Sequence, residues 1–287
     1  MSMQRVFVAG AGLMGHGVGQ VHAAIGLDVT LYEPELARAQ AGRDRIAGNL
    51  DRAVAKGKLD QAARDDILGR VTATSDLEAV RDADIVIEAV FEDVKVKQDL
   101  WREIDSRASA DAIFASNTSS ISIDQLASAV SPARRERFVG MHFFSPVPAM
   151  PLVELIRGEA TTDATETAIR ELTDALGKQL IVSADKPGFI VNRILMPLLA
   201  EAMRTLEEGT GTADDIDTGA KVGLNHPMGP LELADFIGLD VCLNVMKVLH
   251  EGIGGEHFRP PKVLEDLVAA GHLGQKTGRG FHTYPRA

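Results

Sequence analysis

The chain has 287 residues, 45% of them hydrophobic and 25% charged, the profile of a globular protein long enough for one large or two ordinary domains. A formal net charge of −11 argues against a general nucleic-acid or anionic-membrane binder, while leaving room for local basic patches. Cys242 is the only cysteine, which excludes an intramolecular disulfide and points to a reducing compartment. No stretch approaches the roughly 20 apolar residues that span a bilayer. MSMQR runs straight into VFVAGAG with no signal or transit pattern, so a cytoplasmic setting is expected.

In chain order, RVFVAG (5–10), DVTLYE (28–33), DIVIEAV (84–90), AIFASN (112–117) and RFVGMHF (137–143) predict strands, with helical patterns between them. Continuous apolar strands separated by helices indicate a parallel sheet covered on both faces. From Glu35 to about Arg70 the chain reads as helical and charged, with Lys56-Gly57-Lys58 as a turn, which makes a helical hairpin inserted after the second strand. PLVELIRG (151–158) and KQLIVSAD (178–185) predict further strands at the end of the sheet.

Around KPGFI (186–190) the pattern changes. Helical stretches at 192–208, 213–222, 229–252 and 260–270 follow, punctuated by Gly and Pro as in GLNHPMGP (223–230), with no strand before the last residues. The expected fold class is α/β, a Rossmann-type, mostly parallel sheet with a helical-hairpin insertion over residues 1–185. An all-α domain is expected over residues 186–287.

Gly10-Ala11-Gly12-Leu13-Met14-Gly15 fits GxGxxG between a strand and a helix. The first glycine permits the tight turn, the second admits a pyrophosphate, and the third lets helix and strand pack closely. The helix N-terminus adds backbone N–H groups and a positive dipole end. Glu33, at the end of the next strand, can accept from both ribose hydroxyls and would repel a 2′-phosphate. No arginine adjoins Glu33-Pro34-Glu35, so NAD is expected over NADP. A glycine-rich turn with a solvent-facing Glu is the alternative reading.

HFFSPVPAMPLVE (142–154) sets an imidazole and a carboxylate at the edges of two apolar runs. His142 and Glu154 cannot share a helix face at that spacing, but they can meet across adjacent strands joined by the Pro146/Pro148 turn. Together with GAGLMG (10–15), IEAVFEDVKVK (87–97), SNTSS (116–120), KPGFIVNR (186–193), HPMGPLELADFIGLD (226–240) and GQKTGRGF (274–281), this stretch resembles the L-3-hydroxyacyl-CoA dehydrogenase family, most of all the 3-hydroxybutyryl-CoA type. The resemblance covers essentially the whole chain.

The resemblance implies NAD-dependent oxidation of an L-3-hydroxyacyl-CoA, of short chain such as 3-hydroxybutyryl-CoA, to the 3-ketoacyl-CoA, and the reverse. It assigns His142 as the catalytic base and Glu154 as its partner. The chemistry agrees: an imidazole, with an ordinary pKa of roughly 6.5, takes the alcohol proton near neutrality, and a carboxylate fixes its tautomer and stabilises the imidazolium. Asn117 matches a position near the nicotinamide ribose. Ser119 matches the hydroxyl that contacts the substrate 3-oxygen, and Asn192 a side chain that holds the substrate from the helical domain. A run of Asn, Ser and Thr also suits a plain turn, and Asn192 a helix start.

Glu92, Lys97 and Lys276 match cofactor contacts, although an exposed charge pair on a helix would look like the first two. Lys56 matches a contact to coenzyme A, with Arg52 and Lys58 close by; Asp51 and Asp60 are interleaved, as on a solvated helix face. The chain departs from the family pattern at Ser145, where the family often has Asn, at Pro151, where it often has Lys, and at Asn49, where some relatives have Ser. A homodimer through the C-terminal helices is expected, because ILMPLLAEAM (194–203) and PLELADFIGLDVCLNVMKVL (230–249) carry more apolar positions than one helix face needs. No metal is expected. A dehydrogenase of a small hydroxy acid without CoA and a non-catalytic NAD-binding scaffold stand as alternatives.

Overall fold

The first apolar run forms β1 (Arg5–Ala9), and the glycine turn after it opens α1 (Leu13–Ala24) in the computed structural model, which describes residues 3–285. Parallel strands need a crossover between them. α1 supplies it and returns the chain to β2 (Asp28–Tyr32), paired with β1 so that Val8 lies opposite Leu31. The charged segment then forms α2 (Leu36–Ala55) and α3 (Gln61–Gly69). The turn between them puts Gly57 in the left-handed region at φ +65°, and the Asp60 side chain caps α3 by accepting from the Ala63 N–H.

The hairpin leads into β3 (Val71–Thr74), a strand the sequence reading did not anticipate. VTAT is short and buries only Val71, so it lacks the apolar run that marks its neighbours; it pairs with β2 at the edge of the sheet. A 3₁₀ turn at Leu77–Asp82 precedes β4 (Ile85–Glu88), which lies on the other side of β1. There follow α4 (Val94–Asp105), β5 (Ile113–Ser116), the short α5 (Ile123–Ala127) and α6 (Pro132–Arg135), and β6 (Phe138–Phe143). β7 (Leu152–Arg157), α7 (Asp163–Ala175) and β8 (Gln179–Ala184) complete the sheet.

The strand order is β3-β2-β1-β4-β5-β6-β7-β8. Every neighbouring pair is parallel except β6 and β7. Only residues 144–151 join those two, fewer than the dozen or so a parallel crossover needs, so the chain must turn back on itself. The order reverses between β1 and β4, which creates a crevice beyond the carboxyl ends of those strands. β4, β5 and β6 are buried along their whole length, as expected of strands covered on both faces. Under α4, Trp101 stacks on Phe114 with ring centroids 4.9 Å apart.

The chain divides into two compact units between Lys186 and Pro187. The second consists of α8 (Val191–Glu207), α9 (Ala213–Thr218) running into a π turn at Gly219–Gly223, α10 (Pro230–Ile237), α11 (Leu239–Ile253), a 3₁₀ turn at Glu256–Phe258, and α12 (Lys262–Ala269). The single helix expected over 229–252 is therefore two. Gly238 separates them at φ +104°, a conformation no helical residue adopts. Leu199, Leu231, Leu239, Cys242, Leu249 and Leu264 form the fully buried centre of this unit. The wholly buried Asp235 carboxylate accepts from the N–H groups of Phe281 and His282 and from the Tyr284 hydroxyl, which fastens the last segment to α10. Among the described residues no helix is long and apolar enough to cross a membrane.

Candidate active site

The loop after β1 is shaped by its three glycines in three ways. Gly10 sits at φ +100°, where a Cβ would lie 2.6 Å from the Ala89 carbonyl oxygen beyond β4. A Cβ on Gly15 would collide with the Gly10 carbonyl. A Cβ on Gly12 would meet nothing within 4 Å, so the surface there is open. Gly12 caps α1 without any side-chain hydrogen bond, and the first-turn N–H groups of a helix have no partner within it. Leu13 is 72% exposed beside them, while Met14 packs against the core. Glu33 is half-buried, and its Oε1 accepts from the Ala11 N–H at 2.7 Å, which fixes a carboxylate against the same loop.

β4 and β5 end in a charged network that ties their loops together. Glu88 is fully buried and accepts from the Val90 N–H at 2.8 Å, the Ser116 hydroxyl at 2.6 Å and the Lys97 ammonium at 2.5 Å. Lys97, only 1% exposed, also pairs with Glu92 Oε2 at 3.1 Å. Glu92 Oε1 in turn accepts from the Thr118 hydroxyl at 2.6 Å and from the N–H groups of Ser119 at 2.8 Å and Ser120 at 3.2 Å. Burial alone would raise the Glu92 carboxyl, but Lys97 and the donors from Thr118 and Ser119 outweigh it and hold the group below the ordinary carboxylate range. Glu92 and Lys97 are thus no exposed pair on a helix: Glu92 precedes α4, and Lys97 is one of the most deeply buried charges in the chain.

Asn117 is buried, and its side-chain oxygen accepts from the Phe143 N–H at 2.8 Å, joining the loop after β5 to the end of β6. Ser119 is half-buried in the same loop, with its hydroxyl 3.2 Å from Glu92. His142 and Glu154 are direct register partners across β6 and β7. His142 Nδ1 lies 2.9 Å from Glu154 Oε2; the imidazole is 6% exposed and the carboxylate not at all. An ionised carboxylate can only accept, so Nδ1 carries the hydrogen in this pair. β1, β4, β5 and β6 run parallel, which brings the glycine loop, Glu88, Asn117 and His142 to the same end of the sheet.

Lys56 caps the end of α2 at the hairpin turn and is exposed. Asp51 pairs with Arg64, and among the described residues neither Lys56 nor Lys58 has a carboxylate partner. Asn192 and Lys276 belong to the C-terminal unit. Asn192 is buried in the first turn of α8, and Lys276 pairs with Asp240 at 2.5 Å. Among the described residues no group of three or more His, Cys, Asp or Glu side chains is placed to hold a metal ion.

Residues 5–186 match the family model for the NAD binding domain of 3-hydroxyacyl-CoA dehydrogenase, and residues 188–284 match the model for its C-terminal domain. This chain belongs to the 3-hydroxyacyl-CoA dehydrogenase family. It is 49% identical over 282 residues to the 3-hydroxybutyryl-CoA dehydrogenase of Bradyrhizobium diazoefficiens, covering 98% of this chain and 96% of that protein. The solved structure of (S)-3-hydroxybutyryl-CoA dehydrogenase PaaH1 from Ralstonia eutropha superposes with a TM-score of 0.95 at 45% identity, covering 99% of this chain and all of that one. FadB2 of Mycobacterium tuberculosis gives a TM-score of 0.97 at 44% identity over the same shares.

As a 3-hydroxyacyl-CoA dehydrogenase the protein is an NAD-dependent oxidoreductase, and its first loop fits that cofactor. The surface at Gly12 is open where a pyrophosphate must come close, the start of α1 has no side-chain cap to compete with it, and Glu33 stands at the loop. Glu88, Ser116 and Thr118 are the members of the dehydrogenase's loop network that sequence reading passed over. Their one signal is a Glu closing the otherwise apolar strand IVIE, where burial demands a partner.

Proposed function

We propose that this chain oxidises short L-3-hydroxyacyl-CoA thioesters, such as 3-hydroxybutyryl-CoA, to 3-ketoacyl-CoA, and runs the reverse reduction. The observation that carries the reading is the His142–Glu154 pair at the end of the sheet where the glycine loop lies. Glu154 holds the Nδ1–H tautomer, so His142 Nε2 takes the proton of the 3-hydroxyl as the alcohol is oxidised. The buried carboxylate stabilises the imidazolium that results. NAD, when bound, supplies the hydride acceptor. In the reverse direction the imidazolium returns its proton to the 3-oxygen.

Ser119 is assigned to the substrate 3-oxygen, which its hydroxyl can reach as a donor once a ligand competes for it. Asn117 is assigned to the cofactor side of the loop. Gly10, Gly12, Leu13, Met14, Gly15 and Glu33 would hold the pyrophosphate and ribose, and the Glu92–Lys97 pair would support the loop against the cofactor. The motif likeness assigns Asn192 to the substrate, Lys276 to the cofactor and Lys56 to the coenzyme A phosphates; the unpaired charge of Lys56 supports its role. A homodimer and a reducing, cytoplasmic setting complete the reading, the latter supported by a single, buried thiol. NADH oxidation with acetoacetyl-CoA, measured beside free acetoacetate, tests the function. Turnover of the thioester alone is expected, and no turnover of it would overturn the proposal.

A further inference from the structure

Lys178, at the entry to β8, lies outside every motif that carries the family likeness. It is 8% exposed, and its ammonium donates to the carbonyls of Val147 at 2.8 Å and Met150 at 2.6 Å. Among the described residues it has no carboxylate partner, and burial pushes its pKa down. An ammonium buried without a counter-charge is costly, and a methionine would fill such a space without that cost. What the charge secures is the loop 144–151, the connection between the strand of His142 and the strand of Glu154.

That loop contains one helical turn, in which the N–H groups of Ala149 and Met150 both bond to the Pro146 carbonyl. Lys178 accounts for two carbonyls that the turn leaves open, as a cation does at a helix C-terminus. Val147, at the centre of the loop, is buried against α1. Gly17 of α1 leaves room for it, since a Cβ there would stand 2.9 Å from the Val147 Cβ. α1 is the helix that begins at the glycine loop, so Lys178, Val147 and Gly17 form a chain of contacts from β8 through the catalytic loop to the cofactor helix.

We infer that Lys178 is a positioning residue, which clamps the loop between His142 and Glu154 onto α1 and so sets where the imidazole stands relative to the Gly10–Gly15 turn. The inference rests on the dehydrogenase reading, and two readouts on Lys178→Met keep them apart. Amide exchange followed by mass spectrometry should show residues 144–151 exchanging about tenfold faster, with β6 and β7 unchanged. With acetoacetyl-CoA and NADH, kcat should fall by about tenfold or more while the KM for the thioester stays within about twofold, as displacement of a catalytic group predicts. Lys178→Arg, whose guanidinium can reach two carbonyls, should recover most of both effects. Wild-type exchange in Lys178→Met, or faster exchange with unaltered kcat, would overturn the clamp. If Lys178→Met fails to fold, Lys178→Gln takes its place with the same two readouts. A wild-type protein that does not turn over acetoacetyl-CoA would sink the functional reading instead, and the exchange comparison would still decide whether Lys178 clamps the loop.

Discussion

His142 and Glu154 meet as register partners on antiparallel strands, Nδ1 2.9 Å from a carboxylate oxygen that solvent does not reach. On the proposed mechanism, replacing His142 with Gln removes the acid/base and should lower kcat by about 100-fold or more, the usual contribution of general acid–base catalysis. NADH binding, read by fluorescence, should change little. Glu154→Gln keeps the shape but loses the charge, and the amide can present a donor to Nδ1 and favour the wrong tautomer. It should impair turnover in both directions by at least about 100-fold. Near-normal turnover in either variant would remove the pair from the mechanism.

That pair was legible in the sequence because strands have a period of two and residues 144–151 permit only a hairpin return. β1, β4, β5 and β6 were legible as apolar runs, which burial on both faces of the sheet requires. β3 was not, since a four-residue edge strand with one buried side chain leaves almost no hydrophobic signal. The break at Gly238 was missed because apolar spacing continues across it, and only the backbone conformation reveals that α10 and α11 are separate. The Glu88–Lys97–Glu92 network was invisible for a different reason. Its partners, Ser116 and Thr118, come from the next strand and loop, and a local charge pattern cannot say that Lys97 faces inward.

Lys97 should therefore behave as a structural cation first. Lys97→Met leaves Glu88 and Glu92 without the charge that balances them. Breaking a buried ion pair this way costs about 3–5 kcal/mol. Urea unfolding should show a loss of that size, together with weaker NADH binding as the loop of Ser119 loosens. A variant as stable as wild type would mean that the network contributes little.

Glu33 should set cofactor choice. Its carboxylate is anchored at the Ala11 N–H, against the loop that would hold the pyrophosphate. Glu33→Ala should weaken NADH binding by about tenfold, the value of one charged hydrogen bond, and narrow the preference over NADPH. If the wild-type protein already uses NADPH as well as NADH, Glu33 does not discriminate.

His22 should make the protein acid-sensitive. Burial, above all, lowers its pKa to about 4; the bond from its ring to the Val18 carbonyl opposes the shift, and the charge of Lys178 adds to it. The unfolded chain takes up this proton below about pH 6.5, whereas the native protein refuses it until about pH 4. The stability contributed by keeping His22 neutral is therefore full above pH 6.5 and is lost as pH drops through the window from 6.5 to 4, by about 3 kcal/mol at most. His22→Leu should flatten the pH dependence of urea unfolding across that window by up to one proton. An identical slope in variant and wild type would assign the acid sensitivity to other groups.

The C-terminal unit should carry the dimer contact. On α8, Met196, Leu199, Ala200 and Met203 are buried in the unit's own core, yet Ile194 is 66% exposed and Leu198, one turn on, is also exposed. Val222 and Leu224, beyond α9, are 81% and 69% exposed, and Phe236 and Val241 add further apolar surface on α10 and α11. A helix apolar beyond its core-facing stripe needs a second cover, which a partner chain would supply. Light scattering in moderate salt should give twice the mass of one chain. Ile194→Glu with Leu198→Glu would bury two unpaired carboxylates in the contact and should weaken it by at least tenfold, about 1.4 kcal/mol. Because both side chains face solvent in the single chain, the fold of each unit should survive, and circular dichroism should be unchanged. A wild-type protein that is a stable, active monomer, or a double variant that remains dimeric at the same concentration, would place these apolar residues outside any assembly.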